Sequence, residues 1–338
     1  MGEPGVRVFA GTQLGAESTA GTPVAATIRY TNPVAFPVDD SPLVYPPQDV
    51  AISGGTDRSH RPFKKASITF PKGVPTFQQA PLFFEMGVKA VGTGAADGSG
   101  SGKVYAYPLP TTGPNSIKSF TVEAFDDYQE YESEYVVGTE ISFTGKVNEA
   151  WQMETKAIGR QVTPSTKTGA LSLPTTISDI LFQNTKLYID AIGGTLGATV
   201  KANTFLGFEW KLFTGWKDNP TGDGNLYWTA AKYIGYKLTG KLMLEHNAIG
   251  KAQFDAYQAS TPQLFRIRAL GNALSMAGTT YSYETASLDF PAKYTKCSEL
   301  KDEAGNDIFE LEWESKYNVT AALAANTIFV NESASLYS

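Results

Sequence analysis

Residues 206–213 read Leu-Gly-Phe-Glu-Trp-Lys-Leu-Phe. Leu206, Phe208, Trp210 and Leu212 alternate with Gly207, Glu209, Lys211 and Phe213. Successive side chains of a strand point to opposite faces, so a period of two predicts a strand with one face in a core and the other in water. The same period recurs on both sides of this stretch. Tyr236, Leu238, Leu242 and Leu244 alternate with Lys237, Thr239, Lys241 and Met243, and Phe309, Leu311 and Trp313 alternate with Glu310, Glu312 and Glu314. Earlier in the chain, Ile141, Phe143 and Val147 alternate with Glu140, Ser142, Thr144 and Lys146. Ala66, Ile68 and Phe70 repeat the pattern, as do Phe120, Val122 and Ala124. Around Thr285 the apolar phase flips, from Tyr281 and Tyr283 to Ala286, Leu288 and Phe290. One extra residue does this, which predicts a β-bulge there.

Helical spacing is confined to two places. Phe77, Ala80, Phe84, Val88 and Val91 fall on one helical face, with Pro81 acceptable only in the first turn. Gly250, Phe254 and Tyr257 fall on another, with Asn247 as N-cap and Thr261-Pro262 beyond its end. The order of elements then repeats. Strands precede each helix and three follow it, over 104–107, 120–125 and 136–147 in the first half and 264–269, 281–290 and 308–314 in the second. The expected architecture is mainly β, with two tandem sandwich or barrel modules over 1–163 and 164–338, each flanked by one helix. The junction is the Thr-, Ser-, Gly- and Pro-rich stretch 162–174. Long irregular stretches are expected over 32–62, 92–102 and 214–230.

Composition narrows the function. The chain has 338 residues, enough for one large domain or two ordinary ones. Charged residues make up 18%, against roughly 25% in an average domain. No apolar run is long enough to span a membrane. Met1-Gly2-Glu3-Pro4 has no basic or apolar leader pattern, and Val6 breaks the myristoylation motif. The single cysteine, Cys297, excludes an intrachain disulfide, and two histidines exclude a histidine-rich metal cage. Basic and acidic residues number 13 and 17 up to Pro164, and 15 and 17 beyond it. The net charge of −6 is therefore spread along the chain. Without a basic cluster, nucleic acid has no phosphate-gripping surface, although duplex DNA can slide past such a protein without sticking.

No reaction centre emerges from the motifs. Asp126, Asp127, Glu130, Glu132 and Glu134 are the densest carboxylates. Glycoside hydrolysis uses paired carboxylates, but from elements that enclose a pocket. Here the three glutamates alternate with Tyr131 and Tyr135 on an extended segment and read as a solvated face. The stretches 97–102 and 218–225 lack the ligand spacing of an EF-hand, and 302–306 reads as a hairpin loop. There is no GxxxxGK[ST] loop and no nucleophile elbow beside His60 or His246. His60 reads as a loop residue, His246 as structural and Cys297 as inert. No catalytic residue, cofactor or metal is expected.

A family resemblance rests on several short phrases. Gln13-Leu14-Gly15-Ala16-Glu17, followed by Gly21-Thr22-Pro23-Val24-Ala25-Ala26, resembles the start of the major tail (tail tube) proteins of long-tailed bacteriophages. Ser119-Phe120-Thr121-Val122-Glu123, Gly138-Thr139-Glu140-Ile141-Ser142-Phe143 and Trp151-Gln152-Met153 are similar to that family too, as are Lys186-Leu187-Tyr188-Ile189-Asp190 and the strand-rich run through Trp313. The resemblance implies a structural virion protein whose β modules form rings of six, stacked into a tube that carries DNA. It implies self-association, contact with a tape measure protein and with tail terminator and tail-tip proteins, and location in the virion tail after assembly in the host cytoplasm. Two modules per chain imply a homotrimeric, pseudo-hexameric ring. The second half lacks a clear copy of the opening phrase, which keeps a homohexameric ring as the alternative.

On this reading Asp126, Asp127, Glu130, Glu132, Glu134, Glu310, Glu312 and Glu314 are candidate carboxylates of the lumen or of inter-subunit contacts. Loops 32–62 and 214–230 are candidate ring-to-ring bridges, with Trp216, Lys217, Asp218, Asp223, Tyr227 and Trp228 in the second, and the terminal arms 2–27 and 319–338 are candidates for tying copies together. Rival readings are a carbohydrate-binding or adhesive β-sandwich with Trp216, Tyr227 and Trp228 as a sugar platform, a hydrolase using the acidic cluster, and another tail component.

Overall fold

The computed structural model describes residues 9–126, 128–169, 171–174, 176–303 and 305–337; Asp127 lies outside the described residues. Strands β1 (Gly11–Ala16), β2 (Ile28–Tyr30), β3 (Pro37–Asp39) and β4 (Ala66–Gly73) precede helix α1 (Ala80–Gly87). They are followed by β5 (Ala95–Ala96), β6 (Lys103–Pro108), β7 (Phe120–Phe125), β8 (Glu130–Lys146), β9 (Gln152–Gly159) and β10 (Thr163–Pro164). Then β11 (Thr185–Ala191), β12 (Phe205–Phe213), β13 (Trp216–Asn219), β14 (Ala230–Tyr233) and β15 (Lys237–Glu245) precede helix α2 (Ala248–Gln258). The last strands are β16 (Gln263–Ala273), β17 (Tyr283–Cys297), β18 (Lys301–Glu303), β19 (Asn306–Ser315) and β20 (Asn326–Asn331). The protein is mainly β, and its named strands pair antiparallel throughout.

One row of strands runs β3-β4-β9-β8-β12-β15-β19-β17-β16-β11. A second runs β2-β1-β7-β8-β10. The long strand β8 belongs to both. Its first part pairs with β7 and β10, and from Val137 onward it pairs with β9 and then β12. The turnover is at Tyr135, whose φ of 53° bends the strand out of one row into the other. Strand β17 makes the same change of partner: its first part lies between β16 and β20, its last part against β19.

The two halves of the chain share a pairing map. The pairs β3·β4, β4·β9, β9·β8, β8·β7 and β7·β1 recur as β12·β15, β15·β19, β19·β17, β17·β16 and β16·β11. Even an irregularity recurs. The register slips between Gly138 and Glu140 in β8·β9 and between Tyr294 and Lys296 in β17·β19. The skipped residue is threonine both times: Thr139 donates to the Lys156 carbonyl at 3.1 Å, and Thr295 to the Glu312 carbonyl at 3.3 Å. The halves meet edge to edge, because β12 pairs with β8 from Gly207↔Lys146 to Phe213↔Glu140. They meet again where β20 pairs with β6.

Helix α1 is the centre of the core. All its 8 residues are buried, and Phe84 packs on Tyr107, Phe143, Trp210 and Phe329, which come from β6, β8, β12 and β20. Pro81 sits in its first turn, where a missing N–H costs nothing. Helix α2 starts as its sequence requires, with Asn247 Oδ1 accepting from the Ile249 and Gly250 N–H groups. It ends before Pro262, with Ser260 at φ 52°.

Several expectations are modified. The predicted strand over 136–147 starts earlier, at Glu130, and leaves out Val147, which is 39% exposed. The bulge opposite Thr285 is present, but the extra residue lies on the partner strand: Leu270 pairs with Thr285 and Ala273 with Tyr283. The stretch 162–174 is no free linker at its start, since β10 pairs with β8 at Thr163↔Glu132. The last segment, treated as an arm that ties copies together, instead adds β20 to its own sheet, and Tyr337 donates to the buried Glu85 carboxylate at 2.6 Å. Among the described residues no helix is long and apolar enough to cross a membrane.

Candidate functional site

The polar face of the long strand row is built by period-two alternation. Ile141, Phe143, Phe208, Trp210, Leu242 and Leu311 point into the core, so the residues between them face out. Register then lines these up across strands. Gln152, Thr144, Glu209, Lys241, Glu312 and Lys296 form one row, crossing β9, β8, β12, β15, β19 and β17. Glu154, Ser142, Lys211, Thr239, Glu314 and Lys293 form the next. Opposite charges meet throughout: Glu140 with Lys156 (3.0 Å) and Lys211 (2.9 Å), Lys241 with Glu209 (3.3 Å) and Glu310 (3.4 Å), and Glu310 with Lys301 (3.1 Å). Lys296 pairs with Glu312 at 3.4 Å and Lys316 with Glu314 at 2.7 Å.

These pairs shape charge more than stability. Burial would raise the Glu140 carboxyl, but hydrogen bonds from Lys211 and Lys156 hold it below the ordinary range. Burial would likewise raise Glu310, but Lys301 and Lys241 hold it below the ordinary range; Lys316 lowers Glu314 directly. The Glu140 hydrogen bond raises Lys156 in turn. Half-buried to exposed surface pairs of this kind contribute about 0–1 kcal/mol each. The face thus carries both signs in alternation.

The acidic stretch of β8 lies elsewhere and has another role. Asp126 caps its own turn, accepting from the Tyr128 and Gln129 N–H groups at 2.8 and 2.7 Å, which lowers its carboxyl. Glu130 accepts from Lys167 Nζ at 2.6 Å and from the Lys167 N–H at 2.7 Å, and is lowered by them. Glu134 is 5% exposed and accepts from Gln161 at 3.1 Å. Glu132 stands directly across from Glu123. Burial, then Glu123, Glu134 and Glu17, raise Glu132; burial chiefly raises Glu134. The solvated reading of this stretch is therefore corrected: segment 161–168 folds over it. Glu310, Glu312 and Glu314 share the charged sheet face, whereas Asp126, Glu130 and Glu134 bond within the chain and Glu132 faces Glu123.

The connection from β12 to β15 also folds back. Trp216 meets Tyr233 at 5.4 Å across the β13·β14 hairpin, Lys217 is exposed, and Asp218 pairs with Lys65 at 2.9 Å. Asp223 stays in an exposed turn, accepting from the Asn225 N–H and the Thr229 hydroxyl. Tyr227 lies under the Arg160 guanidinium at 5.1 Å. Trp228 is 2% exposed, 4.4 Å from the Tyr135 ring and clustered with Val137 and Ile158, and its indole donates to the Gly159 carbonyl at 3.1 Å. With Trp228 buried, the three aromatics form no sugar platform.

Beyond Ala292, strand β17 leaves β16, and among the described residues no strand pairs the outer edge of 293–297. A cleft of about 380 Å³ adjoins it, lined by Pro262, Pro291, Lys293, Glu314, Lys316 and Tyr317. At the far end of the row, β3 has 3 residues and a single partner, β4. Among the described residues no three His, Cys, Asp or Glu side chains gather as metal ligands would. Sequence reasoning missed the open edge, because the signal is a pairing pattern and not a motif. It also missed Glu85, a glutamate inside an apolar helix (Ala-Pro-Leu-Phe-Phe-Glu-Met-Gly), although that placement alone marks it as paired. Compared with known proteins, the chain matches no protein-family model and no curated protein.

Proposed function

We propose that this chain is a structural protein that assembles with itself into a hollow tube, the tail tube of a long-tailed bacteriophage. One observation carries the reading: two halves with one pairing map are already joined edge to edge at β8·β12, and the equivalent edge on β17 is open. A contact that repeats under rotation closes a ring, and rings that stack give a tube. With two units per chain, three chains make a pseudo-hexameric ring, and the matched maps favour this over a six-chain ring. The charged face becomes the bore. Its alternating Lys and Glu offer duplex DNA no run of positive charge, and their field is screened within about 8–10 Å at moderate salt. On this reading the tape measure, tail terminator and tail-tip proteins are partners and the virion tail is the location. Negative-stain electron microscopy of the purified protein tests it: hollow tubes with regular striations are expected, and a monomer at every concentration and salt overturns it.

A further inference from the structure

The joint inside the chain is a template for a joint between chains. Register fixes the correspondence: Val137↔Ile158 and Glu140↔Lys156 in β8·β9 match Lys293↔Glu314 and Lys296↔Glu312 in β17·β19. The residues around Trp228, namely Tyr135, Val137, Ile158 and Arg160, thus correspond to Pro291, Lys293, Glu314 and Lys316. Those four line the cleft beside the open edge. In the first half the seat is filled by the β12–β15 connection; in the second no described residue fills it.

The same map gives the connection that corresponds to the occupant, and the exposed apolar residues of that connection give the side chains. Trp210↔Gly240 in β12·β15 matches Pro37↔Ile68 in β3·β4, so the 40–65 connection corresponds to 213–237 and is of almost equal length. Both begin with a short antiparallel contact, Val44↔His60 in one and Trp216↔Tyr233 in the other. The second connection packs Tyr227 and Trp228, just past its exposed tip, on the first half. The tip of 40–65 projects apolar residues into solvent, with Val50 43% and Ile52 58% exposed. Helix burial agrees. Helix α1 is covered in part by Trp210 and Thr214 of the second half, while α2 buries only Gly250 and Gln253.

We infer that a second copy of this chain lays the end of its β3 and the residues that follow it along the 293–297 edge of β17, with Asp40 facing Lys296, and seats Val50 and Ile52 in the cleft between Pro291, Lys293, Glu314 and Lys316. The inference rests on the self-assembly proposed above and names its contact. Strand addition supplies main-chain hydrogen bonds, and the side-chain seat supplies specificity. The prolines and the aliphatic stems of Lys293 and Lys316 give the cleft an apolar floor. Asp40 and Lys296 add opposite charges at the position where Phe213 faces Glu140 inside the chain.

The test uses the full chain carrying Asp40→Cys and Lys296→Cys on a Cys297→Ser background, treated after assembly with a short thiol-to-thiol crosslinker. A ladder of covalent oligomers ending at the ring size is expected, with no ladder from either single-cysteine variant. Tubes that form without a ladder overturn this contact and leave self-assembly standing; failure of the unmodified chain to assemble at all overturns both. In a second variant, Val50→Asp with Ile52→Asp, both sites are exposed, so the monomer keeps its circular dichroism and melting temperature and loses assembly. Tubes from that variant as abundant as those of the unmodified chain overturn the seat.

Discussion

Glu85 shows how a single residue can hold the molecule together. Its side chain is buried at 0% exposure and accepts four kinds of donor: the Val91 and Gly92 N–H groups at 2.8 and 3.2 Å, the Tyr107 hydroxyl at 2.8 Å and the Tyr337 hydroxyl at 2.6 Å. The helix end, β6 and the last residues of the chain meet on one carboxylate. Burial first, and the Glu85 charge second, push both tyrosines up, so they remain protonated donors. Glu85→Leu strands these donors and is expected to cost roughly 3 kcal/mol, since each unsatisfied buried polar group costs about 1–3 kcal/mol. A lower urea midpoint and faster proteolytic trimming at the C-terminal end are the readouts. Glu132 is the opposite case. Its raised carboxyl binds protons more readily folded than unfolded, so the stability it contributes falls as pH rises from the usual glutamate range through its raised value. Glu132→Gln is expected to add roughly 0.5 kcal/mol at pH 7, the cost of like charges facing each other across strands. The gain shrinks on acidification toward the ordinary glutamate range, which urea midpoints at several pH values check.

At the level of elements, what the sequence made legible was whatever is local. The strands around Trp210, Leu242 and Trp313 announce themselves because one face is wet; so does α2, down to the Asn247 cap, while α1, buried all round, shows through its helical spacing alone. Asn247→Ala is accordingly expected to cost about 1 kcal/mol, read as a lower melting temperature. What long-range packing decides was hidden. Strand β17 is buried on both faces from Glu284 to Ala292, so alternation vanishes there, and β20 gives no sign that it pairs with β6. Glu130, Glu132 and Glu134 alternate like a solvated face because nothing local reveals that segment 161–168 covers them. The charged sheet face was half visible, in Glu310, Glu312 and Glu314; its lysines became meaningful only once register set Lys241 between Glu209 and Glu312. Gly240 separates propensity from packing. Alanine is the better strand residue in the unfolded-chain sense, yet a Cβ here would lie 2.1 Å from the Glu209 carbonyl oxygen and 2.4 Å from the Trp313 ring. Gly240→Ala is therefore expected to destabilise by about 1–3 kcal/mol; a raised urea midpoint would show that the Trp313 ring moves aside freely.

For the whole molecule, the question is what the alternating charge of the sheet face does. Stability is a weak answer, because the pairs are exposed and each contributes little. Solubility is also weak, since a net charge of −6 already comes from the rest of the surface and the face itself is mixed. Under the tube function proposed above, passage of a polyanion fits both signs. A wall of pure lysine would bind phosphates and release counterions, with affinity falling steeply as salt rises; a wall of pure glutamate would repel itself as the ring closed. Alternation avoids both. Charge reversal at Glu209, Glu310, Glu312 and Glu314 to lysine removes the balance on β12 and β19 together, at positions whose partners Lys241, Lys301, Lys296 and Lys316 are already basic. The variant is expected to retain duplex DNA at low salt and to release it with a log–log salt slope that grows with the number of lysines engaged. The unmodified protein is expected to show no retention under the same conditions. In virions carrying the variant tube, genome exit should slow. Equal DNA retention by the two proteins, or ejection at the unmodified rate, would place this face away from the path of the nucleic acid.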